Sequence, residues 1–132
     1  MPTSCAAEQP LRIVVVDDFP PFRDALCKLL DRHTALDVVG EASDGNSAIE
    51  LTLHLIPEVV VMDVKMPRLS GVEATRRIKR VLPNVHVVGV SSQNDTITRE
   101  EMVTAGCSAF ILKECAHTLP AVIAQLTGRQ VA

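Results

Sequence analysis

Residues 58–63 read EVVVMD, and this short stretch decides the architecture. Four apolar residues in a row, three of them β-branched, favour an extended strand with both faces apolar. Such a strand has no side to show to water, so helices must cover it above and below, as they do in parallel sheets. Outward from this run (58–62, EVVVM), similar ones lie at 11–16 (LRIVVV), 37–42 (DVVGEA), 85–90 (VHVVGV) and 109–112 (AFIL). The period changes between them. Phe22, Ala25, Leu26, Leu29 and Leu30 follow the i, i+3, i+4, i+7, i+8 rule of an amphipathic helix, and Ala48, Leu51, Thr52 and Leu55 make a second, weaker stripe. Residues 71–82 read as a third helix stopped by Pro83 and Asn84, and 95–105 as a fourth, the least apolar, ending at Gly106. Leu119, Val122, Ile123 and Leu126 mark the last, with Thr118 as its expected cap and Pro120 in its first turn. Five β-α alternations predict an α/β fold with a doubly wound five-stranded parallel sheet and right-handed crossovers.

The totals set bounds on function. A chain of 132 residues fits one domain and can bury a core without staples. Residues 1–10 read as a flexible leader, 11–128 as the domain and 129–132 as a short tail. The net charge of -3 argues against a nucleic-acid surface. The one dense basic run, Arg76-Arg77-Ile78-Lys79-Arg80, has the period of a solvated helix face. Cys5, Cys27, Cys107 and Cys115 form no CxxC pair, which predicts reduced thiols rather than a disulfide framework. His33, His54, His86 and His117 lack metal-ligand spacing. The sequence shows neither signal peptide nor apolar span, so a cytoplasmic protein without membrane contact is expected.

In open parallel sheets, ligands bind beyond the carboxyl ends of the strands. The first run is followed by Asp17-Asp18, the third by Asp63, the fourth by Ser91-Ser92 and the fifth by Lys113. If the sheet forms, three carboxylates, a hydroxyl and an ammonium converge on one edge. Clustered carboxylates repel unless a cation sits among them, and an all-oxygen donor set suits Mg²⁺, which commonly bridges to phosphate. Each residue alone is an ordinary cap, turn residue or surface lysine. The specificity lies in their joint position at successive strand ends.

At this point the sequence resembles the receiver domains of two-component response regulators, over residues 11–127. The resemblance is carried by VVVDDFPPFR (14–23), VVVMDVKMPRLSG (59–71), VVGVSSQND (87–95) and GCSAFILKE (106–114). The DDxPxxR opening is similar to that of the NarL-type class, whose members usually carry a DNA-binding domain after the receiver. The resemblance implies a flavodoxin/CheY-like (βα)5 fold with strand order 2-1-3-4-5. It implies that Asp63 is the phosphoacceptor, and that Mg²⁺ is held by Asp18, Asp63, Asp17 through water, and the backbone carbonyl of Lys65. Lys113 becomes the phosphate-binding lysine, and Ser91 and Phe110 the switch pair. Lys65, Ser92 and Gln93 line the rim, while Pro67 and Gly71 shape the loop from which Asp63 protrudes. A cationic Lys65 at the rim points to slow autodephosphorylation. Lys113 is followed by Glu114 where many receivers have proline, a change shared with the NarL-type class.

The implied partner is a histidine kinase or phosphotransfer protein, with a homodimer on phosphorylation as a further expectation and DNA reached only through an output domain. The implied role is that of a phosphoacceptor, with no enzymatic turnover beyond self-catalysed phosphotransfer and autodephosphorylation. A stand-alone receiver acting as relay or docking partner is the alternative. A Mg²⁺-dependent phosphatase is a remote third, since such enzymes usually have a second aspartate two residues past the nucleophile, where Lys65 stands. A degenerate receiver acting only as an interaction module is disfavoured, because the phosphorylation residues are all present.

Overall fold

The computed structural model describes residues 9–131. Most of the expected leader, including Cys5, and the final Ala132 of the expected tail lie outside the described residues. The elements run β1 (Leu11–Val16), α1 (Pro20–Asp31), β2 (Leu36–Ala42), α2 (Gly45–Leu55), β3 (Val59–Asp63), α3 (Gly71–Val81), β4 (His86–Ser91), α4 (Thr96–Ala105), β5 (Ala109–Leu112) and α5 (Leu119–Thr127). All pairings are parallel and the strand order is β2-β1-β3-β4-β5, as expected.

Alternation along each strand divides the core in two. Ile13, Val15, Val59, Val61, Val88 and Val90 face Leu26, Leu30, Leu119 and Ile123 of α1 and α5. Val14, Val16, Val60, Met62 and Val87 face Ala48, Ala74, Ile78 and Met102 of the other three helices. This is why β3 is apolar on both sides: every residue from Val59 to Asp63 is buried.

Two boundaries shift in a way that matters for the site. Asp63 and Ser91 are the last residues of their strands rather than the first beyond them, because Asp63 pairs with Val90 and Ser91 with Leu112 in the ladders. The ladder therefore fixes the backbone beneath both side chains. The expectation that Thr118 caps the last helix fails. A 3₁₀ segment, Lys113–Thr118, runs straight into α5, so Thr118 is itself helical (φ -84°, ψ -8°). Its hydroxyl donates back to the Cys115 carbonyl at 2.7 Å instead of accepting from the helix.

The basic run behaves as a helix face. Arg76 and Arg77 both pair with Glu73, and Lys79 donates to the carbonyls of Pro83 and Val85 at 2.6 and 2.7 Å, closing the end of α3. At its other end, Ser70 accepts from the Glu73 amide at 3.2 Å. Ser70→Ala is therefore expected to cost about 1 kcal/mol, the usual value of a side-chain cap. That loss would lower a thermal midpoint by about 4 °C. An unchanged midpoint in calorimetry would mean that this cap carries no stability.

Candidate functional site

The site is assembled at the carboxyl edge of the sheet, where β1, β3, β4 and β5 end. After β1, the chain turns at Asp17-Asp18 into the Phe19-Pro20-Pro21-Phe22 start of α1. The two prolines suit a first helical turn, whose N–H groups have no partner within the helix. Asp17 is buried and its two oxygens have different partners: Oδ1 accepts from the Phe19 amide at 2.8 Å, and Oδ2 lies 2.8 Å from Lys113 Nζ. Its carbonyl accepts from Arg23 at 2.7 Å, and Arg23 reaches on to Glu41 of β2 at 3.2 Å. Asp18 is exposed.

After β3, Asp63 is 3% exposed and its Oδ2 has no hydrogen-bond partner, the nearest cation being Lys113 at 3.6 Å. The α3 start presses directly beneath it. A Cβ on Gly71 would lie 2.1 Å from the Asp63 carbonyl oxygen, so only glycine permits this approach, and the Gly71 amide donates to Val64 at 2.8 Å. The role expected of Gly71 in shaping the loop thus has a steric form. Pro67 is exposed on that loop.

Carboxylate oxygens of Asp17, Asp18 and Asp63 all lie within 4.8 Å of one another. Burial, then the adjacent Asp17 charge, pushes the Asp63 carboxyl up to about 7, against the opposing pull of Lys113. For Lys113, burial works against the charge, but pairing with Asp17 and Asp63 outweighs it and holds the ammonium above the usual lysine range. A buried oxygen without a hydrogen-bond donor, among three close carboxylates, is a poor arrangement for an empty protein and a good one for a hard cation. The all-oxygen donor set fits Mg²⁺.

The remaining expected residues surround this cluster without all joining it. Ser91 is buried, and its hydroxyl both donates to the Gln93 carbonyl and accepts from the Gln93 amide, each at 3.1 Å. Ser92 is exposed at the rim. Lys65 Nζ donates to Gln93 Oε1 at 2.6 Å, so two of the rim residues bridge the loops after β3 and β4. Phe110 is partly buried against the second core cluster, with the Arg99 guanidinium 4.7 Å from its ring centroid. A Cβ on Gly89, its β4 neighbour, would come within 3.2 Å of the ring. A cleft of about 640 Å³, lined by Asp18, Lys65, Met66, Pro67 and Arg76 among others, opens beside the cluster on the Asp18 side.

Sequence reasoning missed three contributors. The Phe19 amide and Arg23 clasp Asp17, and the Phe22 ring stands 4.7 Å from Lys113 Nζ. All three lie in the quoted DDFPPFR segment, but apolar periodicity assigns Phe22 to the core and is silent about the others. Among the described cysteines, Cys27, Cys107 and Cys115 are free, and burial, then the Glu41 charge, pushes the Cys27 thiol up to about 12. No described helix is long and apolar enough to cross a membrane.

Comparison with known proteins agrees with this fold. The family profile described as "Response regulator receiver domain" matches residues 13–123. A protein-glutamate methylesterase/protein-glutamine glutaminase of Myxococcus xanthus is 44% identical over 105 residues, covering 79% of this chain and 30% of that protein. The transcriptional regulatory protein DegU of Brevibacillus brevis is 35% identical over 107 residues, covering 81% of this chain and 45% of that one. Among solved structures, the signal receiver domain of the response regulator NarL from Mycobacterium tuberculosis superposes with a TM-score of 0.84 at 28% identity, covering 92% of this chain and all of that one. The chain thus spans less than half the length of these two curated relatives.

Proposed function

The chain belongs to the response-regulator receiver family, and on that premise we propose that it accepts a phosphoryl group on Asp63 from a phosphohistidine partner. The observation that carries this reading is the meeting of Asp17, Asp18 and Asp63 oxygens within 4.8 Å, with Lys113 bridging Asp17 and Asp63. Receiver domains of response regulators are phosphorylated by histidine kinases and generally bind Mg²⁺ at such an aspartate cluster. Here Asp18, Asp63, Asp17 through water and the Lys65 carbonyl would hold the ion. When bound, Mg²⁺ supplies the charge neutralisation that lets a phosphoryl group approach three carboxylates.

The protein's own residues then do the following. A carboxylate oxygen of Asp63 attacks phosphorus as the P–N bond of phosphohistidine breaks, and the electron pair stays on the leaving imidazole nitrogen, which takes up a proton. Lys113 holds a phosphoryl oxygen by its ammonium. Ser91 exchanges its bond to the Gln93 carbonyl for one to the new dianion, which loosens the turn after β4. Phe110 moves into the vacated space and changes the α4–β5–α5 surface. A local charge biasing a two-state packing is the general form of such switches. Transcriptional regulators such as DegU, which extend beyond the match, support a larger regulator of the NarL type, acting on DNA through an output domain, with a stand-alone relay as the alternative.

The test is direct. Acetyl phosphate with Mg²⁺ is expected to retard the protein on a phosphate-affinity gel, and Asp63→Asn is expected to remove the shift. A shift that survives the substitution would place the phosphoryl group elsewhere.

The Lys65–Gln93 bridge across the mouth leads to a second expectation. A cation at the rim shields the phosphoryl group and the bridge limits access by water. Lys65→Asn should shorten the phosphoryl lifetime by about two- to fivefold, the effect of one partly screened charge. Equal decay of ³²P label from both proteins would leave the rim without that role.

A further inference from the structure

Building on the reading of Asp63 as phosphoacceptor, we propose that Phe22 is a positioning residue, whose ring face holds the Lys113 ammonium where it meets Asp17 and Asp63. A lysine ammonium rides on a flexible four-carbon stem and tends to sample water. Lys113 is nevertheless half-buried, with 21% of its side chain exposed, and its Nζ lies 2.8 Å from Asp17 and 3.6 Å from Asp63. The same ammonium lies over the Phe22 ring, 4.7 Å from Nζ to centroid. That distance is inside the roughly 6 Å over which the negative face of an aromatic ring attracts a cation.

The ring is itself held. Phe22 is half-buried and packs against the core under α1. Its backbone follows Pro20 and Pro21 at the helix start, between the Phe19 amide that grips Asp17 Oδ1 and the Arg23 side chain that grips the Asp17 carbonyl. One helical turn therefore sets both the carboxylate and the surface against which its counter-ion rests. The ammonium is left with a short range of motion, from Asp17 toward Asp63 and whatever Asp63 carries, and little freedom to swing outward.

A plain core role for Phe22 predicts that size and apolarity are all that count. The two readings separate when shape is kept and the charge of the ring face is reversed. Position 22 would be changed to leucine, to tyrosine and to pentafluorophenylalanine in the full chain. Uptake from phosphoramidate with Mg²⁺ would be followed as a function of donor concentration. Separately, without donor, the NMR shifts of the Lys113 ε-methylene protons would be recorded.

Phe22→Leu and the pentafluoro replacement are expected to lower the maximal uptake rate about three- to tenfold, with the half-saturating donor concentration unchanged. Phe22→Tyr should stay within about twofold of the parent, since it keeps the ring face. The ε-methylene protons should show a ring-current displacement in the parent and the tyrosine variant that is lost with leucine. A pentafluoro protein at the parental rate, tyrosine as slow as leucine, or undisplaced parental methylenes would each overturn the proposal. If the leucine variant fails to fold, the tyrosine and pentafluoro pair decides alone. A parent that takes up no phosphoryl group sinks the reading of the site itself, whereas normal uptake indifferent to residue 22 sinks only this inference.

Discussion

Lys113→Met is expected to slow phosphoryl uptake at Asp63 by about 100-fold, the usual cost of deleting one preorganised group that stabilises developing charge. Methionine keeps most of the length and apolar stem, so packing changes little. What disappears is the ammonium shared by Asp17 and Asp63 at 2.8 and 3.6 Å. The same loss leaves two buried carboxylates facing each other without their internal counter-ion. Affinity for Mg²⁺ should therefore stay the same or rise, because the bound ion replaces part of the missing charge. A slower transfer with no loss of metal affinity distinguishes this from a general collapse of the site. The chain has no tryptophan or tyrosine, so calorimetry is the suitable measure of metal binding. Parental uptake rates in the methionine variant would remove Lys113 from the chemistry.

Asp63→Asn should stabilise the metal-free protein at pH 8 and have little effect near pH 4. The native Asp63 carboxyl is raised from 3.8 to about 7, by burial first and then by the Asp17 charge. Between those values the folded protein binds a proton that the unfolded chain has released. Stability is therefore highest below about 4 and is lost as pH rises through about 7. At about 1.4 kcal/mol per unit the bare shift would be worth roughly 4 kcal/mol. Solvent at the open Asp18 side screens part of it, which leaves about 1–2 kcal/mol. Asparagine removes the charge while keeping the shape, so the gain should appear only where aspartate would be ionised. Mg²⁺ should stabilise the parent at pH 8 more than the variant, since ligand binding to the native state alone adds stability. Urea melts in chelator at the two pH values check both statements. A variant no more stable than the parent at pH 8 would mean that the three carboxylates do not repel as their spacing requires.

Both expectations concern residues whose identity could be read without coordinates. Asp17, Asp18, Asp63, Ser91 and Lys113 each follow or end an apolar run, and a parallel sheet has only one carboxyl edge on which to gather them. The helix stripes were legible for the same reason: Leu26, Leu30, Leu119 and Ile123 recur at helical spacing because they pack on one face of the sheet. Thr118 was misread because cap propensity is a local signal. It carries no information that a 3₁₀ turn from Lys113 would run into the helix. Phe110 was placed by the family resemblance alone, yet its neighbours Gly89 and Arg99 come from other elements.

The amino-acid order alone established the α/β class, the doubly wound parallel sheet and the chemical types that meet at its edge. Those properties depend on period and on strand ends, and both are local. Which oxygen meets which donor was decided only in three dimensions. Asp17 divides its oxygens between Phe19 and Lys113, Asp63 Oδ2 is left without a hydrogen-bond donor, Ser91 turns to Gln93, and Phe22 faces an ammonium 91 positions further along. Contacts across such separations depend on side-chain geometry after the sheet has closed, and no pattern along the chain encodes it.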